Sequence, residues 1–135
     1  MLTMNQWVEK VHAIAKEKGW WDGGERSVSE IIALCHSELS EALEAAREGL
    51  PSACLYDKET KTFLPEPEVV RLQKEGMTDA ERARLKPEGI AVELADCVIR
   101  VMDYFGYMGW DLEGVVKAKV AYNQTRPHKH GNKAF

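Results

Sequence analysis

The chain has 135 residues, of which 44% are hydrophobic and 30% are charged, a composition typical of one globular domain. Its formal net charge of −4 provides no general attraction to nucleic acid, so we expect no nucleic-acid partner. No apolar run approaches the roughly 20 residues of a membrane span, and the N-terminus lacks the pattern of a signal peptide. The three widely spaced cysteines predict reduced thiols in a cytoplasmic protein.

Two amphipathic helices are predicted in the first third of the chain. Residues 3–6 have the pattern of a capping box before apolar residues at helical spacing, and Gly19 ends this helix. Residues 27–30 form a second capping box. The helix that follows is predicted to run to about Glu48, where glycine and proline provide stop signals.

The segment of residues 50–86 breaks this helical rhythm and is predicted to be an insertion or a flap. Its Pro51, Pro65 and Pro67 interrupt regular structure. Residues 56–63 within it suit a small hairpin, and Thr78 begins another capping pattern.

Two further helices are predicted after the insertion. Pro87 suits the first position of a helix that runs to about Phe105. Asp111 can cap a last helix that ends near Asn123, and residues 124–135 form a basic, irregular tail. No strand pattern is strong, so the predicted fold class is all-α with about four helices.

Two short acidic motifs carry most of the chemical information in the sequence. Each has two carboxylates one helical turn apart, beside the apolar stripe of its helix. The four acids are Glu38, Glu41, Glu93 and Asp96. Acids near an apolar core repel one another unless a cation compensates, and hard oxygen ligands favour Mg²⁺ or Mn²⁺ and hence a phosphate substrate. For either pair taken alone, a solvated helix face is the alternative interpretation.

The last predicted helix provides an independent indication of a polar site. Leu112, Val115 and Val116 define its inner face, and Lys119 and Asn123 continue that face where apolar residues are expected. We interpret Lys119 as a phosphate contact and Asn123 as a phosphate or sugar contact. The alternative is that Lys119 pairs with one of the clustered acids.

Several other side chains are candidates for substrate contacts. Arg126 in the tail is a candidate for phosphate binding, and Trp20 or Trp21 could stack on a base. A tryptophan in a loop more often fills a hydrophobic gap. Arg100 is also a phosphate candidate, but we favour an ion pair with Asp96 or Asp103.

These motifs resemble those of the MazG-like, all-α nucleoside triphosphate pyrophosphohydrolases. Related enzymes are the dimeric dUTPases, the dCTP pyrophosphatases and the phosphoribosyl-ATP pyrophosphohydrolases. The segments of residues 86–103 and 122–131 look like the phage and bacterial MazG-like proteins in particular. The resemblance covers the chain except for about residues 50–85, since compact members have their two acidic motifs closer together.

The resemblance implies a four-to-five-helix bundle with an insertion between the two motif helices. It also implies an enzyme that cleaves the α–β phosphoanhydride of a nucleoside triphosphate, giving a monophosphate and pyrophosphate. Glu38, Glu41, Glu93 and Asp96 would then be catalytic Mg²⁺ ligands, and Lys119 and Asn123 substrate contacts. A homodimer or a dimer of dimers is expected, because the family builds its active sites partly at subunit contacts.

Three alternatives remain open at this stage. A di-iron carboxylate bundle requires Glu-x-x-His motifs, and no histidine lies in register here. A catalytically silent nucleotide-binding or partner-binding module on the same fold would bind without turnover. A helical interaction protein would carry the acids only as surface charge, and metal would not change its stability.

Overall fold

The computed structural model describes residues 1–64 and 76–135, and these residues form six helices and three strands. The helices are α1 (Met4–Glu17), α2 (Val28–Arg47), α3 (Asp79–Arg84), α4 (Ile90–Met108), α5 (Leu112–Gln124) and α6 (Lys129–Asn132). The strands are β1 (Cys54–Asp57), β2 (Thr62–Leu64) and β3 (Leu85–Glu88). Pro65 and Pro67 of the predicted insertion lie outside the described residues.

The chain divides into two compact units. The first unit consists of Met1–Glu25 and Met102–Phe135, and the second consists of Arg26–Val101. In the part of the chain that is described, no helix combines the length and the apolar character needed to cross a membrane.

The predicted helix starts are confirmed by side-chain caps. Thr3 and Thr78 each form a capping box with the residue three positions later. The Ser27 side chain accepts from the Glu30 amide, but the Glu30 carboxylate bonds to Arg26, so this cap is half of the predicted box. These caps begin α1, α2 and α3, because each satisfies an amide that has no partner within its helix.

The second unit also contains a small antiparallel sheet with the strand order β2-β1-β3. The predicted hairpin is confirmed by the pairing of β1 with β2, but β3 was not predicted. The structure is thus mostly helical rather than strictly all-α. Pro87 lies in β3, opposite Leu55, and not at the start of α4. Leu55 and Leu85 are fully buried, so the sheet contributes its own part of the core.

Helix α2 buries only part of its predicted apolar stripe, together with one of the acids. Ile31, Glu38 and Ala42 are buried, whereas Ile32 and Leu39 of the same stripe are exposed. On α4 the pattern is similar, with Glu93 buried and Leu94 and Val98 exposed. The faces that bear acids are therefore turned toward the interior of the unit.

In the first unit α1 packs against α5. The Asn5 amide nitrogen donates to Asp111 at 2.7 Å, and its oxygen accepts from the Glu113 amide at 3.1 Å. Asp111 also accepts from the Gly114 amide and so caps α5, as predicted. The tail contains α6, a single turn in which all four residues have positive φ.

Candidate metal centre

A glycine elbow leads from β3 into the helix that carries the second acidic motif. Gly89 has φ +118°, and a Cβ atom there would lie 2.6 Å from the Pro51 carbonyl oxygen and 2.7 Å from that of Ser52. This close approach of two backbone segments allows the Ala91 amide to donate to the Ser52 carbonyl at 2.8 Å. Glycine is required here for both conformation and space, and the elbow places Glu93 in the first turn of α4.

Three of the four predicted acids come together in the second unit. Glu38 from α2 and Glu93 and Asp96 from α4 each offer a carboxylate oxygen, and these oxygens all lie within 4.8 Å of one another. Glu38 and Glu93 are buried, and Asp96 is half-buried. Mg²⁺ at about 2.1 Å from six oxygens separates them by roughly 3–4 Å, so small side-chain shifts would allow one ion to bind all three. This cluster could hold a metal ion.

Glu41, the fourth predicted acid, lies at the edge of this cluster. Its side chain is exposed, and its carboxyl group lies beside that of Glu93. Burial first, and then the neighbouring carboxyl groups of Glu88 and Glu41, raise the pKa of Glu93 to about 7. Glu93 therefore exchanges its proton near neutral pH.

The cation that balances the cluster is Arg100. Its Nε donates to Oε1 of Glu38 and joins α4 to α2. Burial raises the pKa of Asp96, the nearby Glu38 raises it further, and Arg100 opposes both effects. Arg100 is therefore an ion-pair partner, as expected, but the predicted partners Asp96 and Asp103 were wrong, since the bond is to Glu38.

Lys86 and Glu88 also lie near the acids, and the sequence analysis did not identify either as a site residue. Lys86 Nζ lies 2.6 Å from Oε1 of Glu88, and both residues are on β3. Glu88 in turn lies beside Glu93 and contributes to its raised pKa. The charged residues on either side of Pro87 could have indicated them, but Pro87 was assigned to the start of a helix.

Known protein families, characterised proteins and solved structures yield no match to this chain. Membership of the MazG-like family thus stays a prediction that depends on the motifs.

The remaining predicted substrate contacts belong to the first unit. Lys119 Nζ lies 4.9 Å from the centre of the Tyr122 ring, and the Arg126 guanidinium carbon lies 5.9 Å from it. Lys119, Tyr122 and Asn123 are exposed on α5. Lys119 thus lies at a solvent-facing aromatic ring, on a helix whose Val115 and Val116 are also exposed, and its phosphate contact stays a prediction.

The two loop tryptophans differ in their surroundings. Trp20 is 62% exposed. Trp21 is half-buried, donates to Asp103 at 3.0 Å and stacks on Tyr107 with ring centres 4.2 Å apart. Asp103 also binds Nδ1 of His12 at 2.7 Å. Trp21 is therefore a packing residue in this unit, and Trp20 keeps an accessible ring.

Chemically, the cluster in the second unit combines three properties. It has oxygen ligands for a hard cation, a carboxyl group that exchanges its proton near neutral pH, and two cations at its border, Arg100 and Lys86. Such an arrangement suits the binding of a metal with a polyanion and the transfer of a proton.

Proposed function

We propose that this protein is a Mg²⁺-dependent nucleoside triphosphate pyrophosphohydrolase of the MazG-like type, which releases pyrophosphate and a nucleoside monophosphate. The observation that carries the proposal is the approach of Glu38, Glu93 and Asp96 to within 4.8 Å through their carboxylate oxygens. Those acids come from both resemblance motifs, and carboxylate oxygens are the ligands that Mg²⁺ prefers.

In this reaction Glu38, Glu93 and Asp96 would hold the ion. The chemistry that Mg²⁺ would supply there is neutralisation of phosphate charge and a lower pKa for a water molecule. Glu41 is our candidate for the general base, because its side chain is exposed and its oxygens are not part of the three-residue cluster. Its carboxyl group lies beside that of Glu93 and therefore beside the proposed ion site.

Substrate contacts in the first unit are proposed from the resemblance and the exposed side chains. Lys119 and Arg126 flank Tyr122 and are candidates for phosphate binding. Asn123 is a candidate for a phosphate or sugar contact, and Trp20 for stacking on a base. We expect Lys119→Met to raise KM for the nucleotide without loss of stability, because its side chain is exposed. Arg126→Met should also raise KM, although the Arg126 side chain is half-buried.

A homodimer is also proposed, on the basis of exposed apolar side chains. Ile32, Leu39 and Leu43 lie on α2 at spacings of seven and four residues and are about half exposed. Leu94 and Val98 on α4 are exposed to a similar extent. Apolar residues grouped in this way are typical of a surface that binds another protein, and a second copy is the partner that the family resemblance implies.

The decisive experiment is pyrophosphate release from a panel of ribo- and deoxyribonucleoside triphosphates with Mg²⁺. Glu38→Gln and Asp96→Asn should abolish release, because each removes a charged ligand. Glu44→Gln is the matched control, since Glu44 is an exposed acid on the same helix with a surface pair to Arg47 at 3.8 Å. Retained release in both ligand variants contradicts the proposal.

The silent binding module is distinguished by the same experiment. No release from any nucleotide, together with Mg²⁺-dependent binding of a nucleotide, would favour that module over the hydrolase. Mg²⁺ must in either case raise the thermal stability of the native protein, because a ligand that binds only the folded state stabilises it.

A further inference from the structure

Strand β3 brings two charged side chains to the acidic cluster. Lys86 and Glu88 are two positions apart, so both project from the same face of the strand. The backbone of β3 is held by β1, where Tyr56 is opposite Lys86 and Cys54 is opposite Glu88. Leu85, at the start of the strand, is 1% exposed and anchors it in the core of the unit. The sheet therefore fixes the backbone from which Lys86 extends.

The environment of Lys86 is acidic. Its Nζ is 2.6 Å from Glu88, the main cause of the raised pKa of Lys86, and Glu93 and Glu41 lie near enough to raise that pKa further. Its side chain remains 55% exposed, whereas that of Glu88 is 22% exposed. Lys86 thus combines an accessible ammonium group with a location beside the acids.

We propose that Lys86 is a phosphate-binding residue of this site, which exchanges its contact with Glu88 for an oxygen of the polyphosphate chain. This inference depends on the proposed function. A lysine is a compact charge on a flexible stem, so rotation of its side chain can bring the ammonium group to a new partner without movement of the strand. A phosphate chain held by a divalent cation carries more negative charge than one carboxylate and attracts the ammonium group more strongly.

The alternative is that the Lys86–Glu88 pair serves stability alone. Surface ion pairs contribute little to stability. A pair that serves only stability predicts a small change in unfolding and no change in the kinetic constants when Lys86 is replaced. The two interpretations therefore differ in a kinetic measurement.

The test compares Lys86→Met with Lys86→Arg and with the control Lys58→Met. Lys58 follows β1 in the same unit, and its side-chain Nζ donates to the backbone carbonyl of Ala83 at 3.0 Å. We expect Lys86→Met to lower kcat/KM for pyrophosphate release about tenfold or more, the effect of losing one hydrogen bond to a charged group. Lys86→Arg should recover part of this loss, and Lys58→Met should leave kcat/KM unchanged.

A binding measurement separates this inference from the proposed function. Calorimetric titration with Mg²⁺ and tripolyphosphate reports phosphate binding whether or not nucleotides are hydrolysed. Weaker binding by Lys86→Met, with Mg²⁺ alone bound as in the wild type, supports the inference even if no nucleotide is hydrolysed. Wild-type kinetics and wild-type tripolyphosphate affinity in Lys86→Met overturn it, as does a wild-type protein that binds no tripolyphosphate.

Discussion

Arg100 on α4 donates its Nε proton to Glu38 on α2, so the two helices that carry the acidic motifs are joined by an ion pair inside the candidate metal centre. The Glu38 side chain is 8% exposed and that of Arg100 is 34% exposed. Loss of the guanidinium would leave Glu38 buried close to Asp96 with less compensating charge. The ion pair therefore stabilises the arrangement of acids before any metal binds.

We expect Arg100→Met to lower the free energy of unfolding by about 2 kcal/mol without Mg²⁺, less than a fully buried pair because Arg100 is partly exposed. Addition of Mg²⁺ should recover part of the loss, since the ion compensates the same carboxylates. Urea denaturation with and without Mg²⁺ measures both values. Arg47→Met is the control, because its pair with Glu44 is at the surface. Equal losses in the two variants would contradict the role given to Arg100.

The raised pKa of Glu93 predicts a pH dependence of stability. Its value of about 7 in the folded protein exceeds the ordinary 4.5, so the folded protein binds more protons than the unfolded chain between these values. The contribution of Glu93 to stability is present below pH 4.5 and is lost as the pH rises through 7. In metal-free buffer, thermal melting of the wild type minus that of Glu93→Gln should show this loss. A pH-independent difference between the two proteins refutes it.

The same protonated carboxyl group predicts that Mg²⁺ binding depends on pH. The proton on Glu93 must leave before its oxygen can bind the ion, so affinity for Mg²⁺ should increase as the pH rises through 7. Calorimetry in two buffers of different ionisation enthalpy measures the released proton. If Glu93 is not a ligand, the number of released protons will be the same in the wild type and in Glu93→Gln.

Gly89→Ala tests whether the elbow before α4 determines the site. The new methyl group would meet two carbonyl oxygens at 2.6 and 2.7 Å in a backbone conformation that favours glycine. We therefore expect the free energy of unfolding to fall by about 3 kcal/mol and the stabilisation by Mg²⁺ to be lost. Gly49→Ala is the control, since Gly49 has φ +71° but nothing lies within 4 Å of the new Cβ atom. In that variant the free energy of unfolding should fall by about 1 kcal/mol, from backbone strain alone. Comparable losses in both variants would show that the close approach is unimportant.

Replacement of Trp21 should lower the stability of the protein, whereas replacement of Trp20 should not. Trp21→Ala removes the stack on Tyr107 and the bond to Asp103, and we expect it to cost about 2 kcal/mol of stability. Trp20→Ala should leave stability unchanged because the side chain is largely exposed, and should raise KM if Trp20 stacks on the base. Equal stability of the two variants is the result that contradicts this assignment.

Exposed apolar residues of α2 predict self-association. Leu43→Lys places a charge among Ile32 and Leu39 and should shift a dimer toward monomer, because burial of an unpaired charge is unfavourable. Ala33→Lys serves as the control, as Ala33 is an exposed small residue on the same helix. Analytical ultracentrifugation measures the mass of each protein in solution. A wild-type monomer at high concentration excludes the proposed homodimer.

Local patterns in the sequence determined the helix caps, the acidic pairs and the hairpin of this protein. The caps at Thr3, Ser27 and Asp111 act within three residues, and the acidic pairs depend on one helical turn, so both could be identified without a structure. The hairpin of β1 and β2 is equally local, since a short turn connects paired strands. These features depend on hydrogen bonds between near neighbours in the chain.

Only the tertiary structure decided which faces are buried and which charges meet. Helix α2 buries Glu38 and exposes Leu39 because the elements packed against it come from distant parts of the chain, and a helical stripe does not specify its partner. The partner of Arg100 is 62 residues away. The position of Lys86 depends on the pairing of β3 with β1, across some 30 residues of sequence, and no periodicity within residues 86–88 indicates that strand. Long-range pairing therefore places the cation that we assign to phosphate binding, whereas the acids that it approaches were evident from their spacing alone.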